Sequence, residues 1–179
     1  MVICDITIKS KKWQKQKNIA KFIEDISQKI IDQSALKKFL KNQIQMEIIF
    51  SLVEDSQIKK INYEYRKKNH ATNVLSFANF DEDEIRKIGI KNYLNKNLKN
   101  QKFFVLGDVV LAYETIENEA LSANKKFNDH LTHLILHAIL HLIGYDHEQD
   151  EMAKEMENLE IKILKKLKIK NPYYAINDV

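Results

Sequence analysis

The order of hydrophobic patterns along this chain predicts an α+β fold, a single compact domain in which a small mixed β-sheet is packed with helices. Three observations carry that expectation. Strand-like segments concentrate in the first two thirds of the chain and helical ones fill the last third. The 179 residues show no repeat or low-complexity linker, so residues 1–179 are read as one domain. Hydrophobic residues make up 44% and charged residues 30%, with only three Gly and one Pro, a balance that excludes disordered and collagen-like chains.

Taken in order, the opening VICDITI is β-branched and half apolar and reads as a strand. Ile19, Phe22, Ile23, Ile26 and Ile30 recur at three- and four-residue steps, which predicts an amphipathic helix from about Ser10 to Asp32. MEIIFSLV, Met46 to Val53, is a second strand. Asp55 or Ser56 then offers a cap for a helix whose buried face is Ile58, Ile61 and Tyr65. VLSF, Val74 to Phe77, is a third strand. The Asn- and Lys-rich stretch from about Asn79 to Lys102, which includes the acidic DEDE of Asp81 to Glu84, is read as a long loop. FFVLGDVVLA, Phe103 to Ala112, restores strand character, with Gly107 marking a bulge. Three helices follow, at about Tyr113 to Ala123, Asn128 to Leu142 and Glu148 to Lys168. The last carries Glu148, Glu151, Glu155 and Glu157 early and its lysines late, in accord with the helix dipole.

Net charge is +4, a mild excess that suits an anionic partner such as RNA without requiring one. The basic runs KKWQKQK and KKLKIK lie near the two ends and read as solvated faces. The single cysteine, Cys4, has no partner for an intramolecular disulfide and is expected as a small buried thiol. No apolar stretch approaches the roughly 20 residues of a membrane span, and the start of the chain lacks a basic-then-apolar secretion pattern. A cytoplasmic protein with no membrane partner is expected.

Five of the six histidines, His130, His133, His137, His141 and His147, crowd into one short segment. His137 and His141 are four apart on a predicted helix, so both project from one face a turn apart. Gly144 then stands where a helix would stop, and His147 follows. This H-x-x-x-H-x-x-G-x-x-H pattern supplies three imidazoles and leaves a fourth coordination position open, as in a catalytic metal site. One zinc ion is the leading expectation, although other divalent transition metals accept the same ligands. His130 and His133 are expected to be structural or to support the ligands from behind. The spacing is shared with a long zinc-protease signature in which a glutamate follows the first histidine as general base. Here that position is Ala138, so a zincin-like metal-binding helix is present without its base.

HAILHLIGYDH, together with YRKKNHATNVLSF (Tyr65 to Phe77) and LGDVVLA (Leu106 to Ala112), resembles the YbeY family of bacterial rRNA-maturation endoribonucleases. The similarity continues into EMAKEMENLEIKIL and so spans about Ile61 to Leu164. The resemblance implies a compact α+β unit related to zinc-protease cores. It also implies a metal-dependent, single-strand-specific endoribonuclease that matures the 3' end of small-subunit (16S) rRNA and serves in late ribosome quality control. Its partners would be single-stranded RNA, the rRNA precursor and the small ribosomal subunit. His137, His141 and His147 would bind zinc and Arg66 would contribute to catalysis. Two positions depart from the family pattern: Ala138 replaces a usual glycine and Asn73 a frequent aspartate, neither of them a metal ligand.

The chemistry of these residues agrees with that implication. A guanidinium such as that of Arg66 can hold two phosphate oxygens and balance transition-state charge. Arg66, Lys67, Lys68 and His70 form a basic run suited to an RNA backbone, and Tyr63 or Tyr65 could stack on a base, with the core the expected place for Tyr65. Asp146 either orients a ligand imidazole or caps the next helix. Two other readings stand beside this one: a zinc metallopeptidase with Asp146 or Asp108 as base, and a ribosome assembly factor whose metal is structural.

Overall fold

Parallel pairing of two β-branched segments begins the fold. The computed structural model describes residues 1–34, 36–37, 44–81, 84–85, 88–98, 101–147 and 150–173. In it β1 (Val2–Ile8) lies beside β2 (Gln45–Val53), with Val2 opposite Met46 and Ile8 opposite Leu52. The chain between them forms α1 (Ile19–Ile31), the crossover that a parallel pair requires. Helix α2 (Asp55–Arg66) leads to β3 (Val74–Ala78), α3 (Ile90–Leu98) and β4 (Phe103–Ala112). Strand β4 adds parallel to β2, and β3 pairs antiparallel on its other side, giving the sheet order β1-β2-β4-β3. Helices α4 (Tyr113–Ser122), α5 (Phe127–Leu142) and α6 (Asp150–Lys166) complete the chain.

Alternation along the strands sorts their side chains into two layers. Met46, Ile48, Phe50 and Leu52 of β2 are fully buried toward the face covered by α1 and α5, where Ile23, Ile30, Leu131 and Ile135 meet them. Each such side chain stabilises the fold by roughly 1.5–3 kcal/mol. The other face is smaller: Val53, Leu75, Val110 and Ala112 pack under Ile58 of α2. Together these layers form the expected single α+β domain.

Gly107 does mark a bulge. Pairing skips from Val105 opposite Glu47 to Gly107 opposite Ile48, leaving Leu106 as the extra residue. Gly107 has φ +145°, and a Cβ there would lie 2.2 Å from the Phe77 carbonyl oxygen and 2.8 Å from the Leu142 side chain. Its lack of a side chain lets β3 and the end of α5 close on β4, beside the histidines.

Four expectations are corrected. The helix read from Ser10 to Asp32 is two pieces, a 3₁₀ turn at Lys11–Lys15 and then α1, separated by Asn18 in the left-handed region at φ 56°. The break follows from Trp13, which is fully buried, donates its indole N–H to the Val53 carbonyl at 2.9 Å and packs edge-on against Tyr113. The loop read from Asn79 to Lys102 contains α3, whose Tyr93 packs edge-on against Phe80, itself stacked on Phe104. Helix α2 is capped by Glu54, whose N–H is accepted by Gln57, while Asp55 binds the N–H and hydroxyl of Thr115. Tyr65 is 64% exposed, and Asn62 takes the buried place on α2 beside Ile58. Helix α6 starts at Asp150; Glu148 lies outside the described residues. Cys4 is half-buried against the main core, and burial pushes its thiol up to about 11. Among the described residues no helix is long and apolar enough to cross a membrane.

Candidate metal centre

Helix α5 is apolar nearly all round, and the turn that ends it places the histidines. Leu142 is its last residue, after which the Gly144 N–H binds the His141 carbonyl at 2.9 Å and the Tyr145 N–H the Leu140 carbonyl at 3.0 Å. These two bonds form a Schellman motif, which needs a left-handed residue, supplied by Gly144 at φ +88°. A Cβ on Gly144 would also lie 2.6 Å from the Ile85 side chain. The reversed chain brings His147 back beside His137 and His141, and Asp146 accepts the His147 N–H at 2.7 Å. Asp146 thus steadies the backbone of this histidine.

The candidate ligand nitrogens of His137, His141 and His147 all lie within 4.8 Å of one another. The Nε2 atoms of His137 and His141 are 3.1 Å apart. Tetrahedral zinc, with bonds of about 2.0–2.1 Å, separates its ligand nitrogens by about 3.4 Å, so this pair is close to the required spacing. His147, the exposed member, is the one with room to adjust. Burial, then the neighbouring His137 and His147, lowers the His141 pKa to about 4, so this imidazole is neutral at neutral pH and able to ligate. The donor set therefore fits a transition-metal ion.

Behind the ligands stands Glu160 of α6, which is completely buried. His137 Nδ1 lies 2.9 Å from one of its carboxylate oxygens, and His133 Nε2 lies 3.3 Å from the other. Tyr173 donates its hydroxyl to that second oxygen. Burial alone would raise the Glu160 pKa, but the hydrogen bonds from His133, His137 and Tyr173 outweigh it and hold the carboxyl at about 2. His130 faces away from this cluster and binds Glu119 at 2.7 Å. Glu119 also accepts from the Asn73 amide at 3.0 and 3.1 Å. An aspartate at position 73 would set a second carboxylate against Glu119, so asparagine suits this chain's own neighbour.

A cleft of about 690 Å³ opens in front of the ligands. His137, His141, His147, Tyr145 and Asp146 line one wall, while Arg66, Lys68, Thr72 and Asn73 line the other and β3 contributes Val74, Ser76 and Ala78. Arg66 ends α2, and Lys67 follows in the left-handed region at φ 58°. The buried Asn62 amide donates to the His70 carbonyl at 2.9 Å, tying the basic loop to the helix. Arg66 and Lys68 thus reach the cleft, whereas Lys67 turns its ammonium to the Glu64 carbonyl and His70 is exposed beyond the lining. Ala138 is 1% exposed within the main core, so a packed methyl group stands where the proteases carry their base. Asp108 is exposed on β4 and lies outside the lining.

Glu160 and Tyr173 were not singled out by the sequence reading. The signal for Glu160 was present: it shares a helical stripe with Met156, Ile163 and Leu164, all nearly or fully buried, and a carboxylate on an apolar stripe requires a partner. Tyr173 had no such signal, since its contact depends on how the chain folds back after α6.

Comparison with known proteins agrees with this architecture. A protein from Thermotoga maritima, solved in solution, superposes with a TM-score of 0.50 at 20% identity, covering 100% of this chain and 99% of its own, a likeness in fold. The endoribonuclease YbeY of Agrobacterium fabrum is 37% identical over 171 residues, covering 94% of this chain and 92% of that relative. Its counterpart from Bartonella bacilliformis is 39% identical over 173 residues, covering 97% and 98%. The family model described as endoribonuclease YbeY matches residues 7–168, which takes in both walls of the cleft, and the chain belongs to the YbeY endoribonuclease family.

Proposed function

We propose that residues 1–179 act as one single-strand-specific metallo-endoribonuclease domain. It holds one zinc ion on His137, His141 and His147 and matures the 3' end of small-subunit rRNA, with a further role in late ribosome quality control in the cytoplasm. The observation that carries this reading is the cleft itself, where Arg66 and Lys68 line one space with three imidazoles and where Asp146 is the one carboxylate among the described lining residues. Such a balance of charge suits a phosphodiester better than a peptide. Zinc bound there supplies positive charge and lowers the pKa of a water it holds.

The chain's own residues do the rest. Arg66 grips the non-bridging phosphate oxygens and stabilises the charge that grows on them during attack. Lys68 holds an adjacent phosphate, and Lys67 and His70 follow the RNA backbone outward from the cleft.

Freshly purified protein should contain about one zinc per chain by elemental analysis. It should cut single-stranded RNA in a chelator-sensitive way and leave denatured casein intact. Metal-dependent casein cleavage without RNA cleavage would instead establish the peptidase. A purely structural metal predicts that His141→Ala loses stability together with activity, so a variant that melts like wild type yet leaves RNA uncut excludes it.

A further inference from the structure

We propose that Glu160 is the positioning residue of the metal centre, a carboxylate that locks the His137 ring with Nε2 facing the ion and is itself held by His133 and Tyr173. The inference rests on the metal reading above and adds to it a residue on a different helix. An ionised carboxylate only accepts hydrogen bonds, so the ring nitrogen facing it must carry a hydrogen. In the neutral ring that binds a metal, His137 Nδ1, 2.9 Å from Glu160, is therefore the N–H, which leaves Nε2 with its lone pair. That lone pair lies 3.1 Å from His141 Nε2, within the group of nitrogens able to share an ion. An imidazole without such a partner divides between two tautomers and turns about its side-chain bonds, and each alternative withdraws a ligand.

The surroundings of Glu160 support a dedicated role. It is completely buried on the stripe of α6 that also carries Met156, Ile163 and Leu164. A leucine would fill that stripe without the cost of desolvating a charge. The carboxylate's contribution is thus to the groups it holds, and each of its oxygens is engaged: one by His137, the other by His133 and Tyr173. The Tyr173 ring also stands edge-on to His133 at 5.7 Å, closing the carboxylate off from solvent. Carboxylates placed behind a metal-bound histidine typically contribute 10–100-fold in metal affinity.

Two measurements test this on the full chain. Nitrogen-15 NMR of the metal-free protein should show His137 as the Nδ1–H tautomer in the wild type and as a mixture in Glu160→Leu. Competition with a chromophoric chelator should show zinc affinity reduced about 10–100-fold in Glu160→Leu, less in Glu160→Gln, which can still accept from Nδ1–H, and only a few-fold in Tyr173→Phe. Should Glu160→Leu fail to fold, the wild-type tautomer and the other two variants carry the test. An Nε2–H tautomer in the wild type, or wild-type zinc affinity in Glu160→Gln and Glu160→Leu alike, overturns the proposal. Absence of zinc binding by the wild type would refute the metal reading itself, and the tautomer would still report whether Glu160 orients His137.

Discussion

The two walls of the cleft are built on opposite physical terms. On the histidine wall the ligands are half-buried or sit on a hydrogen-bonded turn, and the groups behind them are mutually satisfied: Glu160 holds His133, His137 and Tyr173, and the Schellman turn at Gly144 directs His147. On the basic wall Arg66 and Lys68 are exposed, and among the described residues no hydrogen bond or ion pair engages either side chain. Only the backbone beneath them is tied, through Asn62 to His70. The difference teaches that the candidate metal ligands are organised in advance, whereas the side chains proposed to grip phosphate are free to adapt to an incoming strand. Preorganisation matters most where a ligand misplaced by a few tenths of an ångström is lost, and a long cation on a flexible stem can find its phosphate.

Breaking the histidine wall should have the largest effect. His137→Ala should abolish stoichiometric zinc and chelator-sensitive RNA cleavage together, read by elemental analysis and gel assay. Arg66→Ala should cost about 10²–10³-fold in cleavage while zinc content and melting temperature stay at wild-type values. Loss of metal in that variant would show that the walls are not independent. Gly144→Ala should destabilise the fold by about 1–3 kcal/mol, from a strained left-handed residue and the clash with Ile85, and weaken zinc binding by displacing His147. Thermal melts with and without zinc separate the two losses. The smallest effect is expected at Lys67, whose left-handed backbone at φ 58° costs a residue with a side chain more than glycine. Lys67→Gly should raise stability by about 0.5–1 kcal/mol while weakening RNA binding a few-fold at low salt, two signs that one denaturation curve and one salt titration resolve.

The strands were legible because MEIIFSLV alternates buried and less buried residues and FFVLGDVVLA is a nearly continuous apolar run covered on both faces of the sheet, and even the bulge was marked by Gly107. Helix α3 was missed because the polar residues of the 79–102 stretch outnumber its few core contacts, of which Tyr93 against Phe80 is one. Helical spacing with Ile58 and Ile61 predicts Tyr65 in the core, yet its ring leans on Phe77 at the surface, 4.9 Å between centroids. Spacing names a face of a helix; how far the sheet extends beneath that face decides which residues it covers.

By itself the sequence determined the local part of the candidate metal centre. His137 and His141 share a face because a helix repeats every 3.6 residues, and Gly144 reverses the chain because it alone in that turn tolerates the required φ. Both are consequences of short-range backbone geometry. Only the tertiary structure decided that Arg66 and Lys68 would face those histidines, that Asn73 would meet Glu119, and that Glu160, 23 residues beyond His137, would stand behind it. Those relations depend on how α2 packs on one face of the sheet while α5, with α6 against it, packs on the other, a result to which distant apolar residues contribute and which no local spacing encodes.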